Sequence, residues 1–391
     1  VQIVVRASIG IVLAVVVLSG CGCGESRSWE EINEAARTAH AAGDYERAES
    51  EFRAALEVAR GLGEDDPRLV QSLNNLGSFQ RSLGRLEDAV GYYREALEIR
   101  ERAIGTDSPE LGLSYYNLAT HYRALNRLDE ARELFERALA LREKAVGAEH
   151  PLVSEALTSL GLVAYFQEDY PAARQWLERA VRIMERTELA DSPRLAIGLT
   201  NLAQVYGSLG ELERAEELFA EAERIQQLNF GPGAVRVGRA KVNRAEVLVE
   251  LDRLGEAERL YGEALEIFED QLAPDDPELT VPLNNLGRVY RLQERYADAE
   301  DAYRRAIALL EKLPEQARPD LAAALFNLAR VYADQALVAE AEPLFRRALE
   351  LYESTLGPDH ANTVAVRDGY AEFLRAHDRE AEAADLAAGS G

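Results

Sequence analysis

The sequence predicts an all-α chain, a solenoid of antiparallel helix pairs, and three observations carry that reading. Asn75, Asn117, Asn201, Asn243, Asn285 and Asn327 stand on one ladder with a 42-residue step, and Ser159 and Gly369 take the two remaining rungs. Small residues keep the same step at Ala89, Ala131, Ala173, Ala215, Ala257, Ala299, Ala341 and Ala383, with large ones four places on, from Tyr93 and Phe135 to Tyr303 and Phe345. Pro67, Pro109, Pro151, Pro193, Pro277 and Pro319 punctuate the ladder, and between them apolar residues recur at three- and four-residue spacing, the period of a helix. One helix pair cannot bury its own apolar face, so neighbouring units must stack. A length of 391 residues would otherwise suggest two or three globular domains; the repeat makes one elongated array. With 47% hydrophobic residues the chain can bury a core, which excludes general disorder despite a net charge of −25.

The N-terminus reads as an address. Residues 1–20 carry one charged side chain, Arg6, ahead of an apolar run from Ile9 to Leu18. That run suits a signal peptide and is short for a membrane span, which needs about 20 apolar residues. It ends in Leu18-Ser19-Gly20-Cys21, which resembles the lipobox of bacterial lipoproteins. The resemblance implies cleavage after residue 20, a diacylglycerol on Cys21, and a lipidated tether over 21–28. It places the protein in the bacterial cell envelope, lipid-anchored, and Gly22 after the lipidated position implies the outer membrane, periplasmic face, of a Gram-negative cell. Two other readings stand beside it: an uncleaved anchor over residues 1–18, and a Cys21-Gly22-Cys23 metal or redox pair. The pair supplies two ligands where a zinc site needs four. The chain starts at Val1, so an alternative start codon or an upstream segment is open.

The array is expected over residues 29–388. Its repeats lie near 29–67, 68–109, 110–151, 152–193, 194–235, 236–277, 278–319, 320–361 and 362–388. The first is divergent, using Ala36, Ala48, Phe52 and Ala55 with one residue fewer to its neighbour, and the last has a shortened second helix. In the unit after Pro109, a helix from Glu110 to Ala124 is expected, then a turn at Asn126, a second helix from Leu128 to Val146, and a stop at Gly147. Phe230-Gly231-Pro232-Gly233 replaces the acidic-Pro joint of the other units, and a flexible joint between two sub-arrays is expected there. It is not a phosphate loop, because Arg239-Ala240 stands where Lys-Ser or Lys-Thr is needed.

Leu286-Gly287 with Tyr290, followed by Ala299, Tyr303 and Ala306, resembles the tetratricopeptide repeat in the long form of kinesin light chains. The resemblance covers residues 29–388. It implies a right-handed superhelix of about nine repeats, whose first helices line a concave groove able to take an extended peptide. It also implies a scaffold or adaptor that binds a protein or peptide partner without catalysis, needs no cofactor and has no small-molecule substrate. Envelope-assembly accessory and regulator of a partner enzyme are the alternative roles.

The residues agree with a binding role. A pI near 4.7 leaves no basic surplus for nucleic acid. Neither a His-Glu-x-x-His nor a Gly-x-Ser-x-Gly occurs, His150 and His360 fall at joints, and His121 is read as a surface position. In peptide-binding members of the family the asparagine rung touches the ligand, which implicates Asn75, Asn117, Asn201, Asn243, Asn285 and Asn327. An amide offers donor and acceptor to an extended main chain, or it braces neighbouring first helices; both readings stay open. Family groove positions bring Arg81, Arg123, Arg239, Arg288, Arg291, Arg330 and Arg375 to the same face, against Glu155, Glu246, Glu250, Asp334, Asp368 and Glu372. The clustered Arg288, Arg291 and Arg330 suit an acidic or carboxylate-ended partner, the alternative being internal pairing with Asp334 or Glu294.

Overall fold

The computed structural model describes residues 27–187 and 189–388. The expected signal peptide, Cys21, Cys23 and most of the tether lie outside the described residues. Those described form eighteen α-helices with short turns, and no strand occurs among them. Two compact units divide at Gly105. The first holds α1 (Trp29–Ala41), α2 (Tyr45–Leu62), α3 (Pro67–Ser82) and α4 (Leu86–Ile104). The second begins with α5 (Gly112–Ala124), α6 (Leu128–Val146), α7 (Pro151–Phe166), α8 (Tyr170–Glu185), α9 (Pro193–Ser208) and α10 (Leu212–Phe230). It continues with α11 (Val235–Glu250), α12 (Leu254–Gln271), α13 (Thr280–Leu292), α14 (Tyr296–Leu310), α15 (Arg318–Asp334), α16 (Val338–Leu356), α17 (Ala361–Arg375) and α18 (Glu380–Ala388). Odd-numbered helices are the first of each pair, even-numbered ones the second.

Each hairpin closes by one device. The first helix of a pair ends in a residue with left-handed backbone, such as Asn126 at φ 57° or Gly210 at φ 77°. The amide of the residue after it then reaches back, as Arg127 N donates to Tyr122 O at 2.9 Å. Five of the eight joints between hairpins use glycine, at 63, 105, 147, 231 and 357. Gly147 and Gly357 both have φ 88°, and each amide donates to the carbonyl four residues back. The following helix is capped by a side chain: the Oδ1 of Asp66 and Asp276, and the Nδ1 of His150 and His360, accept the second amide of their helices at 2.9–3.2 Å. The two joint histidines therefore do the work of aspartates.

Three expectations change. Helix α5 starts at Gly112, not Glu110, because Pro109–Leu111 forms a 3-10 turn with Leu111 N on Ser108 O at 3.0 Å. The Phe230–Gly233 joint has the ordinary geometry, Gly231 at φ 83° with its amide on Gln227 O at 2.9 Å. The break between compact units falls at Gly105 instead. His121 is buried, not a surface position, and its Nδ1 lies 2.6 Å from Asn117 O.

The small and large columns form the core. Ala131, Ala173, Ala215, Ala257, Ala299 and Ala341 are fully buried in the second unit. Opposite the large column, the first helix carries Gly or Ala: a Cβ at Gly287 would lie 2.7 Å from Tyr303 Cζ. One seam breaks the apolar rule. Glu223 on α10 meets Lys241 at 2.7 Å and Arg244 at 3.2 Å on α11, while Arg244 also binds Glu216 and Lys241 also binds Glu263, each at 2.7 Å. Lys241 and Glu223 are both buried. Burial alone would push the Lys241 ammonium down, but its two carboxylate partners outweigh that and raise it.

Candidate binding face of the first helices

In the second unit, the closest approaches between alternate helices run through first helices: α5 to α7, α7 to α9, α11 to α13 and α13 to α15. A stack whose first helices touch directly has its tighter, inner side there, so the rungs belong to that side. A cavity opens beside α9 and α11 and another beside α15 and α17. One, of about 350 Å³, is lined by Tyr165, Phe219, the rung residue Asn243, Glu246 and Glu250. The other, of about 570 Å³, is lined by Phe326, Arg330, Phe345, Asp368, Gly369, Glu372 and Phe373.

The rungs divide into two kinds. Asn75 Nδ2 donates to Asn33 Oδ1 at 2.9 Å, Ser159 Oγ to the Tyr116 hydroxyl at 3.1 Å, and Asn327 Nδ2 reaches Asn284 Oδ1 at 3.5 Å. In each case the acceptor precedes the rung position of the previous repeat, so these rungs brace neighbouring first helices. Gly369 obeys the same geometry by subtraction, since a Cβ there would lie 2.8 Å from Phe326 Cζ. The two departures from asparagine are thus explained by size: where the preceding repeat supplies Tyr116 or Phe326, the rung shrinks to Ser or Gly. Asn117, Asn201, Asn243 and Asn285 make no side-chain hydrogen bond among the described residues. Asn117 is exposed and the others are half-buried, so their amides remain available.

The cations of this face also divide. Arg291 Nη1 donates to Asp334 at 2.7 Å, the internal pairing, so it is not a free anchor as expected. Arg239 is likewise held by Glu278. Arg288 and Arg330 are exposed and have no ion-pair partner among the described residues. Both lie close to one point: burial pushes the Tyr303 phenol up, and Arg291, Arg330 and Arg288 around it pull it down. Burial and the charge of Arg291 beside it push the Arg330 guanidinium down, against the upward pull of Asp334 and Glu372 nearby. In the first unit Arg81 is exposed without a partner among the described residues; in α5 Arg123 is half-buried, its Nε covered and unbonded.

Bracing was one of the two readings the sequence left open; which rungs brace was not legible, because their partners are 42 or 43 residues away and one column off the ladder. The signal was present: the column before the rung holds Tyr116 and Phe326 where the rung itself turns small. Among the described residues no group of three or more His, Cys, Asp or Glu is placed to hold a metal ion, and no helix is long and apolar enough to cross a membrane.

Residues 30–102, 68–144, 110–186, 152–227, 236–312 and 320–388 each match the tetratricopeptide repeat family model. The chain belongs to the tetratricopeptide repeat family. Solved structures with the same fold include the apo form of RapI, with a TM-score of 0.65 and 17% identity over 93% of this chain and 97% of that one. The apo form of the quorum sensor NprR from B. thuringiensis gives 0.60 and 19% over 82% and 86%. BtubC (BKLC) from P. vanneervenii, whose abbreviation accords with the kinesin-light-chain form, gives 0.50 and 24% over 60% and 92%. At these identities the likeness concerns the fold. No curated protein sequence matches the chain significantly.

Proposed function

We propose that this tetratricopeptide repeat protein is a scaffold that holds an extended segment of a protein partner along the first helices of its second unit. A carboxylate of that segment sits between Arg288 and Arg330, and the amides of Asn201, Asn243 and Asn285 take its main chain. The observation that carries the reading is the pair of unpartnered guanidinium groups. In the second unit, arginines of the second helices and turns are held by their own chain, as Arg295 is by Glu258 and Asp298, and Arg379 by Glu342 and Glu382. Arg288 and Arg330 are left without such anions on a face that also bears open amides. The array serves as an adaptor, and any chemistry belongs to the partner.

The Leu18-Ser19-Gly20-Cys21 sequence supports a lipid tether that would keep this face at an envelope membrane. Radiolabelled palmitate should enter the expressed chain and be lost in Cys21→Ala; label retained by that variant refutes the tether. For the face itself, Arg288→Glu with Arg330→Glu should abolish retention of the partner from an envelope extract and leave the melting temperature nearly unchanged, because both side chains are exposed. Undiminished retention by the double variant rules the site out.

A further inference from the structure

The cavity between α15 and α17 has a composition that the carboxylate site beside it does not explain. Three phenylalanine rings stand in its walls beside Arg330, Asp334 and His377. Phe345 lies edge-on to Phe326 at 5.7 Å between ring centroids and tilted to Phe373 at 5.0 Å, and Phe345 and Phe373 are buried while Phe326 is half-buried. Glycine at rung 369 makes the arrangement possible, because Phe326 occupies the place a rung side chain would take. At its rim stand Asp368 and Glu372, both exposed and without an ion-pair partner among the described residues. Arg330 also lines the cavity, with its guanidinium carbon 5.8 Å from the Phe326 centroid, yet it is bonded to neither carboxylate.

Aromatic faces carry a negative quadrupole and attract a cation, and carboxylates at the mouth add to that attraction. A purely apolar occupant would strand Asp368 and Glu372 beside a dry surface, and an acidic one would be repelled by both. At about 570 Å³ the space admits a long side chain. We propose that this cavity takes the cationic side chain of a lysine or arginine in the partner segment. The inference rests on the proposed scaffold reading and adds a second chemical requirement to it. Asp334 of the same lining is already paired with Arg291, so once a carboxylate of the segment neutralises Arg330 the remaining field in the cavity is that of Asp368 and Glu372. Neighbouring first helices are about 8–10 Å apart, and an extended chain advances about 3.3 Å per residue. The basic residue therefore lies about two to three positions from the acidic one.

The test is a positional-scanning library of acetylated, amidated decapeptides applied to the full chain in mild detergent. It is repeated with Asp368→Asn/Glu372→Gln, and with Arg288→Glu/Arg330→Glu. The expected result is selection of Lys or Arg about two to three positions from a selected Asp or Glu. The basic preference should be about tenfold over alanine, a figure in the range of a partly desolvated cation on an aromatic face. Asp368→Asn/Glu372→Gln should erase the basic preference and keep the acidic one. Acidic selection with no basic preference, or a basic preference unchanged in that variant, overturns the cavity assignment and leaves the scaffold reading intact. Basic selection without acidic selection upholds the cavity and removes the Arg288–Arg330 site. A library with no selection at either position overturns both.

Discussion

The seam from α8 to α9 and the seam from α10 to α11 occupy the same places in the repeat, one step of 42 residues apart, with opposite chemistry. Val181, Leu199 and Leu202 are buried in the first; Glu223, Lys241 and Arg244 stand at the matching positions of the second. The ladder fixes where a side chain goes and leaves open how it is satisfied there. An apolar seam needs complementary volume alone. A charged seam must close its network, and this one does: Glu223, Lys241 and Arg244 each have two partners within it, and Glu216 and Glu263 take their second partners at Arg253 and Arg259. The same distinction runs along the inner face. Asn75, Ser159 and Asn327 are spent on neighbouring helices, whereas Asn201, Asn243 and Asn285 hold the same rung unspent.

The largest expected effect comes from breaking the charged seam in one place. Lys241→Leu restores the residue type of its column but leaves the buried Glu223 one cation short, a loss of about 3 kcal/mol. Leucine at 223, 241 and 244 together copies the apolar seam and should match or exceed the native protein, by up to about 4 kcal/mol. Hydrogen exchange across α10 and α11 reads both, since repeat arrays need not unfold in one step. A triple variant less protected than Lys241→Leu would mean the network stabilises beyond what its volume explains. The sign with pH follows from Lys241. Its folded value is raised above 10.5, so its contribution is complete below that pH and is lost as pH rises through the higher folded value. The triple variant should lack this alkaline loss.

The next effect tests size compensation. Gly369→Asn places a side chain against the Phe326 ring and should cost about 1–3 kcal/mol. Adding Phe326→Asn recreates the pair made by Asn284 and Asn327 and should recover most of the loss in a thermal melt. No recovery would separate the rung from the residue before it. Smallest is the contrast between rungs: Asn75→Ala loses a cross-repeat hydrogen bond worth about 1 kcal/mol, while Asn285→Ala should change stability by less than about 0.5 kcal/mol. Equal losses at both would remove the distinction between spent and open rungs.

Much of this was legible in the residues. Helix α6 runs from Leu128 to Val146 as its apolar spacing and Gly147 require, and Asn126 takes the left-handed turn expected of it. Misreadings arose where satisfaction depends on the neighbouring repeat. The position of Lys241 in a leucine column was visible, but its three-dimensional partners, 18 and 22 residues away on other helices, were not. Internal pairing with Asp334 was one of the two readings of the Arg288, Arg291 and Arg330 cluster; that Arg291 alone takes it, 43 residues on across the stack, needed the structure. His121 read as exposed because its own helix gave no sign of what covers it. The open cations could be named only after the paired ones had been subtracted.

The most direct test of the central claim, that the first helices of the second unit are the partner surface, is site-specific photo-crosslinking. A benzophenone amino acid would replace Asn285 on the inner face in one sample and the exposed Asp301 of α14 in another, each exposed to envelope extract. The account predicts a discrete crosslinked product from position 285 and none from 301. A product from 301 with none from 285 would contradict it and move the partner to the second helices.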